Sequence, residues 1–311
     1  MKHVAAISTF IAYLCAIGCT KSVDATVVNQ VCAPGSNDCN GDTLRRCNDV
    51  GSGWDIVKRC AAGTCTSGND ECGGPVTPLA STTWISCNES SSADAIAGTM
   101  PCGPVNAGGT RLDPYEVTRS QYLAFWHATV DGKNIGGLPA VCGFKEGGRG
   151  HTPDLAEWPS MKETETRLPI TNIDWCDAWG YCRWAGKRLC GAANKKAYQG
   201  DAAATTPSEW YAACSASGTR DHVYGPFTKG TCNDAGSVAA VGTFPGCVSP
   251  ENVYDLEGNV AELTDVCSTQ ANGDTCRAEG GYVNGFVGCK VHGQFNRNQR
   301  LGDLGFRCCA D

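Results

Sequence analysis

The chain has 311 residues, with 22 cysteines, 39 glycines, only 3 methionines and 41% hydrophobic residues, at a formal net charge of −7. That balance describes a globular chain rather than a disordered one, and Lys and Arg never gather into long runs, which argues against a general nucleic-acid binder. So many thiols point to an oxidising compartment and a disulfide framework; zinc ribbons, the rival use, need paired C-x-x-C knuckles, and the sequence has none.

Residues 1–18 read as a signal peptide. After Lys2 the chain is uncharged from 4 to 17, too short to span a bilayer but suited to the apolar part of an export signal. The run ends Ala16-Ile17-Gly18-Cys19, similar to a bacterial lipoprotein cleavage site with Cys19 as the lipidated residue. Cleavage after Ala25 is the plainer secretory alternative. No later stretch is long and apolar enough for a membrane helix. Setting Cys15 and Cys19 aside leaves an even number of cysteines, as complete pairing requires.

Residues 27–73 are expected to form a small Cys-rich module. Cys32, Cys39, Cys47, Cys60, Cys65 and Cys72 allow three bridges, while the segment is polar and holds few apolar residues besides Leu44, Trp54 and Val57. Such a segment is held by its disulfides, each contributing about 2–4 kcal/mol; it is either a small adhesive module or a stalk. A Gly/Pro/Thr linker over 74–83 leads to a domain over 84–311.

In that domain the helix signals are few. Thr118-x-x-Gln121 predicts a capping box ahead of Tyr122, Phe125 and Trp126. Trp175, Ala178, Trp179, Cys182 and Ala185 recur at helical spacing between Asn172 and Gly186, with Gly186 as the stop. Thr206-Pro207-Ser208-Glu209 predicts another capping box with proline at the first helical position, followed by Trp210 and Ala213. Short strands are expected at 239–244, 281–287 and 304–308. The expected class is α+β, loop-rich and disulfide-stabilised.

Several of these stretches together resemble the formylglycine-generating enzyme (sulfatase-modifying factor) family. They are Tyr115-Glu116-Val117-Thr118 with Gln121, Tyr122 and Phe125; Leu168-Pro169-Ile170-Thr171-Asn172 with Trp175, Ala178, Tyr181-Cys182 and 184–189; and Ser208 to Ala213. Val241-Gly242-Thr243-Phe244-Pro245, Val253 to Val260, Gly280-Gly281 and Leu304-Gly305-Phe306-Arg307-Cys308 follow in the family's order. The resemblance implies an irregular C-type-lectin-like fold. It also implies, for working members, oxidation of a sulfatase cysteine to formylglycine with copper and O₂, the metal held by two cysteines shortly after the Gly-Gly turn, since thiolates suit soft Cu(I).

Here that segment carries only Cys289. By its place before Cys308 it resembles a structural family cysteine, and the resemblance implies bridges Cys214–Cys289 and Cys182–Cys308. Cys232–Cys247 and Cys267–Cys276 are local candidates, and Cys142–Cys176, Cys190–Cys309 and Cys87–Cys102 would complete the set. The family's Gly-Asn-Val-Trp-Glu-Trp signature reads Gly258-Asn259-Val260-Ala261-Glu262-Leu263, and the serine usual after Gly-Gly is Tyr282. Copper is therefore not expected, and no catalytic residue is assigned.

The resemblance further implies a structural Ca²⁺ loop, with the Asp255 and Glu262 carboxylates and the Gly258 and Val260 carbonyls as ligands; an ordinary acidic turn is the alternative. His127, His151, His222 and His292 show no metal spacing. Asp177 and Glu209 read as solvated or capping residues, and Asn88-Glu89-Ser90 fits a glycosylation sequon. The sequence thus points to an exported, lipid-anchored protein that acts as a binding or surface scaffold toward an envelope or extracellular protein or glycan. A family oxidoreductase converting a protein cysteine to formylglycine is the alternative, and a purely structural spacer a third reading.

Overall fold

Thr118 caps the first helix among the described residues, α1 (Arg119–Ala128). Its Oγ1 accepts from the Gln121 amide at 3.3 Å, and Gln121 Oε1 accepts from the Thr118 amide at 3.0 Å. Two amides otherwise left open at the helix start are satisfied, contributing about 1 kcal/mol. Every residue of α1 after Arg119 is buried, so the helix runs through the domain instead of lying on its surface. The computed structural model describes residues 33, 36–40, 43–47, 54–59, 84–87, 98, 100–129, 138–145, 150–200, 207–268 and 274–311. The signal segment, Cys19, the linker and the Asn88 sequon lie outside the described residues.

Helix α2 (Trp175–Trp184) starts from Asp174, which forms a capping box with Asp177, and ends where Gly186 adopts φ +70°. Helix α3 (Glu209–Ser215) departs from the expected start. Its cap is Ser208, whose Oγ accepts from the Tyr211 amide at 2.9 Å, so Pro207 precedes the cap and is not the first helical residue. Glu209 turns its carboxylate to Arg188 and to the Gly191 amide, and Thr206 of the expected box lies outside the described residues.

The Cys-rich module contains an antiparallel sheet of β1 (Asn37–Asn40), β2 (Thr43–Cys47) and β3 (Trp54–Arg59), with Leu44 fully buried. Further on come β4 (Val105–Ala107), β5 (Thr110–Leu112), β6 (Arg188–Leu189) and β7 (Tyr198–Gln199). The long strands β8 (Ala261–Cys267), β9 (Thr275–Gly281) and β10 (Val287–Asn296) pair antiparallel in sequence order. β7 and β11 (Leu304–Gly305) both pair with β8 in parallel. The last strand, β12 (Cys308–Ala310), lies between β5 and β6.

Two of the expected strands are placed differently. The stretch 239–244 is irregular, tied by the Val241 amide donating to the Arg167 carbonyl. The stretch 281–287 is the turn between β9 and β10, because Gly280 and Gly281 hold φ +88° and +78°, values a side chain resists. A Cβ at Gly281 would lie 1.8 Å from the Phe286 carbonyl oxygen.

The core between α1 and α2 is aromatic. Ring centroids of Phe125 and Tyr181 are 5.6 Å apart, and those of Tyr181 and Phe306 5.5 Å, both edge to face; such pairs add about 0.5–1.5 kcal/mol each beyond their buried area. A separate cluster under α3 packs Trp210, Cys214, Val253, Leu256 and Cys289. The result is an α+β domain with little helix and much loop. Seven disulfides join it: Cys87–Cys102, Cys142–Cys176, Cys182–Cys308, Cys190–Cys309, Cys214–Cys289, Cys232–Cys247 and Cys267–Cys276. That number of bridges belongs to an oxidising environment. Among the described residues no helix is long and apolar enough to cross a membrane.

Candidate functional site

Cys289 stands on β10, just past the Gly280-Gly281 turn, and its sulfur is joined to Cys214 on α3. The other family-like bridge, Cys182–Cys308, ties α2 to β12 beside the aromatic core. Every cysteine from 87 to 309 is taken up in this way. The segment in which copper-using relatives carry a thiol pair therefore holds one half of a disulfide. Where the family signature has two tryptophans, Ala261 and Leu263 are buried, while Tyr282 is exposed.

Beside the Cys214–Cys289 bridge lies Glu257, its side chain fully buried. Its Oε1 accepts from the Val223 amide at 2.5 Å and lies 3.7 Å from Cys214 Sγ and 3.5 Å from Cys289 Sγ. Its Oε2 is 2.8 Å from His222 Nδ1. Burial pushes the Glu257 carboxyl above its ordinary range, against the pull of His222. His222 opens on a surface hollow of about 480 Å³ lined by Arg220, Asp221, Gly225, Pro226 and Phe227.

Of the residues that the resemblance implies for calcium, Glu262 meets a buried guanidinium. Arg307 donates through Nε and Nη2 to the two Glu262 oxygens, each at 2.6 Å, and Trp210 Nε1 adds a third donor at 2.9 Å. Asp255, at φ +55°, accepts from the Gly242 amide at 2.6 Å. Burial pushes its carboxyl up to about 7. Glu116 accepts from Asn259 Nδ2 at 3.0 Å through Oε1, while its buried Oε2 has no hydrogen-bond partner. Burial, then the charges of Asp255 and Glu262, hold the Glu116 carboxyl well above its normal range.

The Gly258-Asn259-Val260 backbone keeps its shape through Gly258 at φ +73° and Asn259 at φ +53°. Asn259 Oδ1 accepts from Asn233 Nδ2 and from the Ala239 amide, both at 2.9 Å. This arrangement offers an ion Asp255 and backbone carbonyls but not Glu262, whose charge Arg307 already meets. As the side chains stand, the four-residue set does not fit a calcium cage.

A second ionic cluster had no sequence signal. Lys145 Nζ lies 2.5 Å from Asp174 and 2.6 Å from Asp177, and Arg300 Nη2 lies 2.8 and 2.9 Å from the same two carboxylates. His151 Nδ1 is 2.9 Å from Asp177. Asp177 is thus a capping residue but not a solvated one. Burial works to raise its carboxyl, and Lys145, His151 and Arg300 outweigh it and hold it below the usual range. Glu209 is likewise buried, held by Arg188, Thr110 and the Gly191 amide. Of the histidines, His127 is also buried and His292 is near the surface, 3.2 Å from the Lys290 carbonyl.

Residues 65–311 match the family model described as sulfatase-modifying factor enzyme 1-like domain. Among curated proteins none matches the chain. Similar solved structures include CarF, at 18% identity over 64% of this chain and 85% of that one, with a TM-score of 0.45. Another is PvdO from Pseudomonas aeruginosa, at 19% identity over 64% and 79%, with a TM-score of 0.45. Treponema denticola variable protein 1 follows at 17% identity over 64% and 84%, with a TM-score of 0.39.

Proposed function

The chain belongs to the sulfatase-modifying factor enzyme 1-like family, and from that premise we propose that it is a non-catalytic member, a disulfide-stapled binding scaffold displayed outside the cell. The observation that carries this reading is the state of Cys289. Formylglycine synthesis in the family rests on a pair of thiolates holding copper. Here the one cysteine between Gly280-Gly281 and the Cys308-Cys309 pair is spent in a bridge to Cys214, and no cysteine from 87 to 309 is left as a thiol. Removing both metal ligands abolishes such chemistry; it does not merely slow it.

Framework and site have been treated differently. The Arg307–Glu262 pair, the Asn259 hub and the Gly-Gly turn keep the domain's interior, while the thiols and both signature aromatics are gone. A family domain stripped of its chemistry still presents its loops, and the partner would be an envelope or extracellular protein or glycan. Lipidation at Cys19 would hold the protein to a membrane surface.

The test is a thiol count on the denatured, unreduced protein, with copper content measured after dialysis against a mild chelator. The expected result is no free thiol from the 84–311 domain and no retained copper. Two free thiols with stoichiometric copper, or turnover of a cysteine-bearing peptide to formylglycine, would restore the oxidoreductase reading. Cys19→Ser is expected to move the protein from the membrane fraction to the soluble one.

A further inference from the structure

The hollow beside His222 is walled by side chains that are held in place from beneath. The buried Glu257 carboxylate takes the Nδ1–H of His222 at 2.8 Å, and in that tautomer Nε2 keeps its lone pair as an acceptor. Among the described residues Nε2 has no hydrogen-bond partner. The imidazole stacks on Tyr224, with centroids 5.7 Å apart, and lies 5.2 Å from the Phe227 ring. Phe227 itself is 56% exposed, so much of its ring faces outward.

Arg220 and Asp221 form the polar side of the lining. Arg220 Nε donates to the Cys214 carbonyl at 3.0 Å. Asp221 meets Lys290 at 2.6 Å, and its carbonyl accepts from the Cys289 amide at 3.1 Å. Both anchors thus rest on the Cys214–Cys289 bridge.

The lining narrows the ligand class. Arg220 and Asp221 balance each other, which disfavours a phosphate or a small cation. No third metal ligand joins His222 and Asp221 among the described residues. What remains is an aromatic face beside one acceptor nitrogen, one carboxylate and one guanidinium, around about 480 Å³. A neutral ligand that fits offers hydroxyls, which both donate and accept, and an apolar C–H face for the ring. A sugar ring has both.

We propose that this hollow is a saccharide site, in which a pyranose lays its C–H face on Phe227 and sets hydroxyls against His222 Nε2, Asp221 and Arg220. The proposal rests on the reading of the chain as a binding scaffold, and it names the glycan side of that reading. Glu257 is a positioning residue, fixing the tautomer and the tilt of the imidazole. Side chains ordered before the ligand arrives lose little freedom when it binds. No metal takes part.

The full-length protein is mixed with maltohexaose, cellohexaose, chitohexaose and mannohexaose in the presence of EDTA. Saturation-transfer NMR reads which sugar protons meet the protein, and calorimetry reads the affinity. At least one of the four is expected to bind, with the strongest transfer on ring C–H protons. Phe227→Ala should weaken it at least about tenfold, a loss of about 1.4 kcal/mol. Phe144→Ala, the same change at an exposed ring outside the hollow, should leave it unaltered. The proposal is overturned if none of the four binds, if binding appears only with Ca²⁺, or if Phe227→Ala binds as tightly as the native chain. Equal weakening by Phe144→Ala also overturns it. Should Phe227→Ala fail to fold, Asp221→Ala at its exposed position gives the reading: weaker binding supports the site, and unchanged binding overturns it. The thiol count on the same sample keeps the two readings apart. A chain with no free thiol that takes up none of the sugars loses this site and keeps the scaffold reading. Two free thiols with bound copper end the scaffold reading, whatever the sugars do.

Discussion

Arg307 and Glu262 face each other as a two-pronged ion pair deep in the domain, Nε and Nη2 each 2.6 Å from a different carboxylate oxygen. Arg307 also donates to the Asp113 and Tyr254 carbonyls, at 3.1 and 2.9 Å, so one side chain ties β8, the C-terminal segment and the loop before α1. Arg307→Met strands Glu262 as a buried charge and is expected to destabilise the domain by about 3–5 kcal/mol. The double variant Arg307→Met, Glu262→Met should recover much of that loss. Urea denaturation of the three proteins checks this, and a double variant no more stable than the single one would contradict it.

Asp255 and Asp265 give the domain a pH dependence of known sign. Burial raises their carboxyls to about 7 and about 6, above the usual unfolded value of about 3.9. The folded state therefore binds more protons than the unfolded chain between about pH 4 and about 7, and the stability linked to these protons is lost as pH rises through that window. Asp255→Asn, which cannot ionise, is expected to flatten this slope and to exceed the native chain in stability at pH 8. A melting-temperature series from pH 4 to 8 is the measurement, and identical profiles for variant and native chain would count against the assignment. Asp177 acts in the opposite sense at lower pH: its carboxyl is held below the ordinary range, so its contribution disappears on acidification.

Calcium should matter little. With Glu262 committed to Arg307, EDTA is expected to leave the melting temperature within about 1 °C, well under the several degrees that 1 kcal/mol represents. A drop of several degrees, reversed by Ca²⁺, would mean that Glu262 exchanges its guanidinium for the ion.

Gly281→Ala tests the turn between β9 and β10. The added methyl carbon would start 1.8 Å from the Phe286 carbonyl oxygen at a backbone φ of +78°. The turn must open, and a loss of about 2 kcal/mol or more is expected. Gly109→Ala is the control: its φ is +82° but nothing lies within 4 Å, so only the backbone term of about 1 kcal/mol should appear.

Local features of the fold could be read because their causes are local. The Thr118 cap, the α2 periodicity and the Gly186 stop each depend on neighbours within four residues. At α3 the sequence offers two capable caps, Thr206 and Ser208, and the helix starts from Ser208, while Arg188 from a distant strand holds Glu209. The site was less legible. Glu257 carries no spacing relation to Cys214 or Cys289, and the Lys145–Asp174–Asp177–Arg300 cluster joins three segments whose proximity is a product of folding. Charge on a helix looks the same in sequence whether it ends in solvent or in a buried network. What decides is which groups the fold brings to the helix start, Lys145 and Arg300 to Asp177 and Arg188 to Glu209.

β12 has a consequence for how the protein matures. Residues 308–310 lie between β5 and β6, with Cys309 opposite Leu112 on one side and Arg188 on the other. During synthesis those two strands are made long before the piece that joins them. The Cys267–Cys276 and Cys232–Cys247 bridges span 9 and 15 residues and can close as soon as their own segment has emerged. Cys182–Cys308 and Cys190–Cys309 span 126 and 119 and must wait until residues 308 and 309 have been made. The local loops can therefore close before the distant clasp. A product terminated before residue 308 would present Cys182 and Cys190 unmatched.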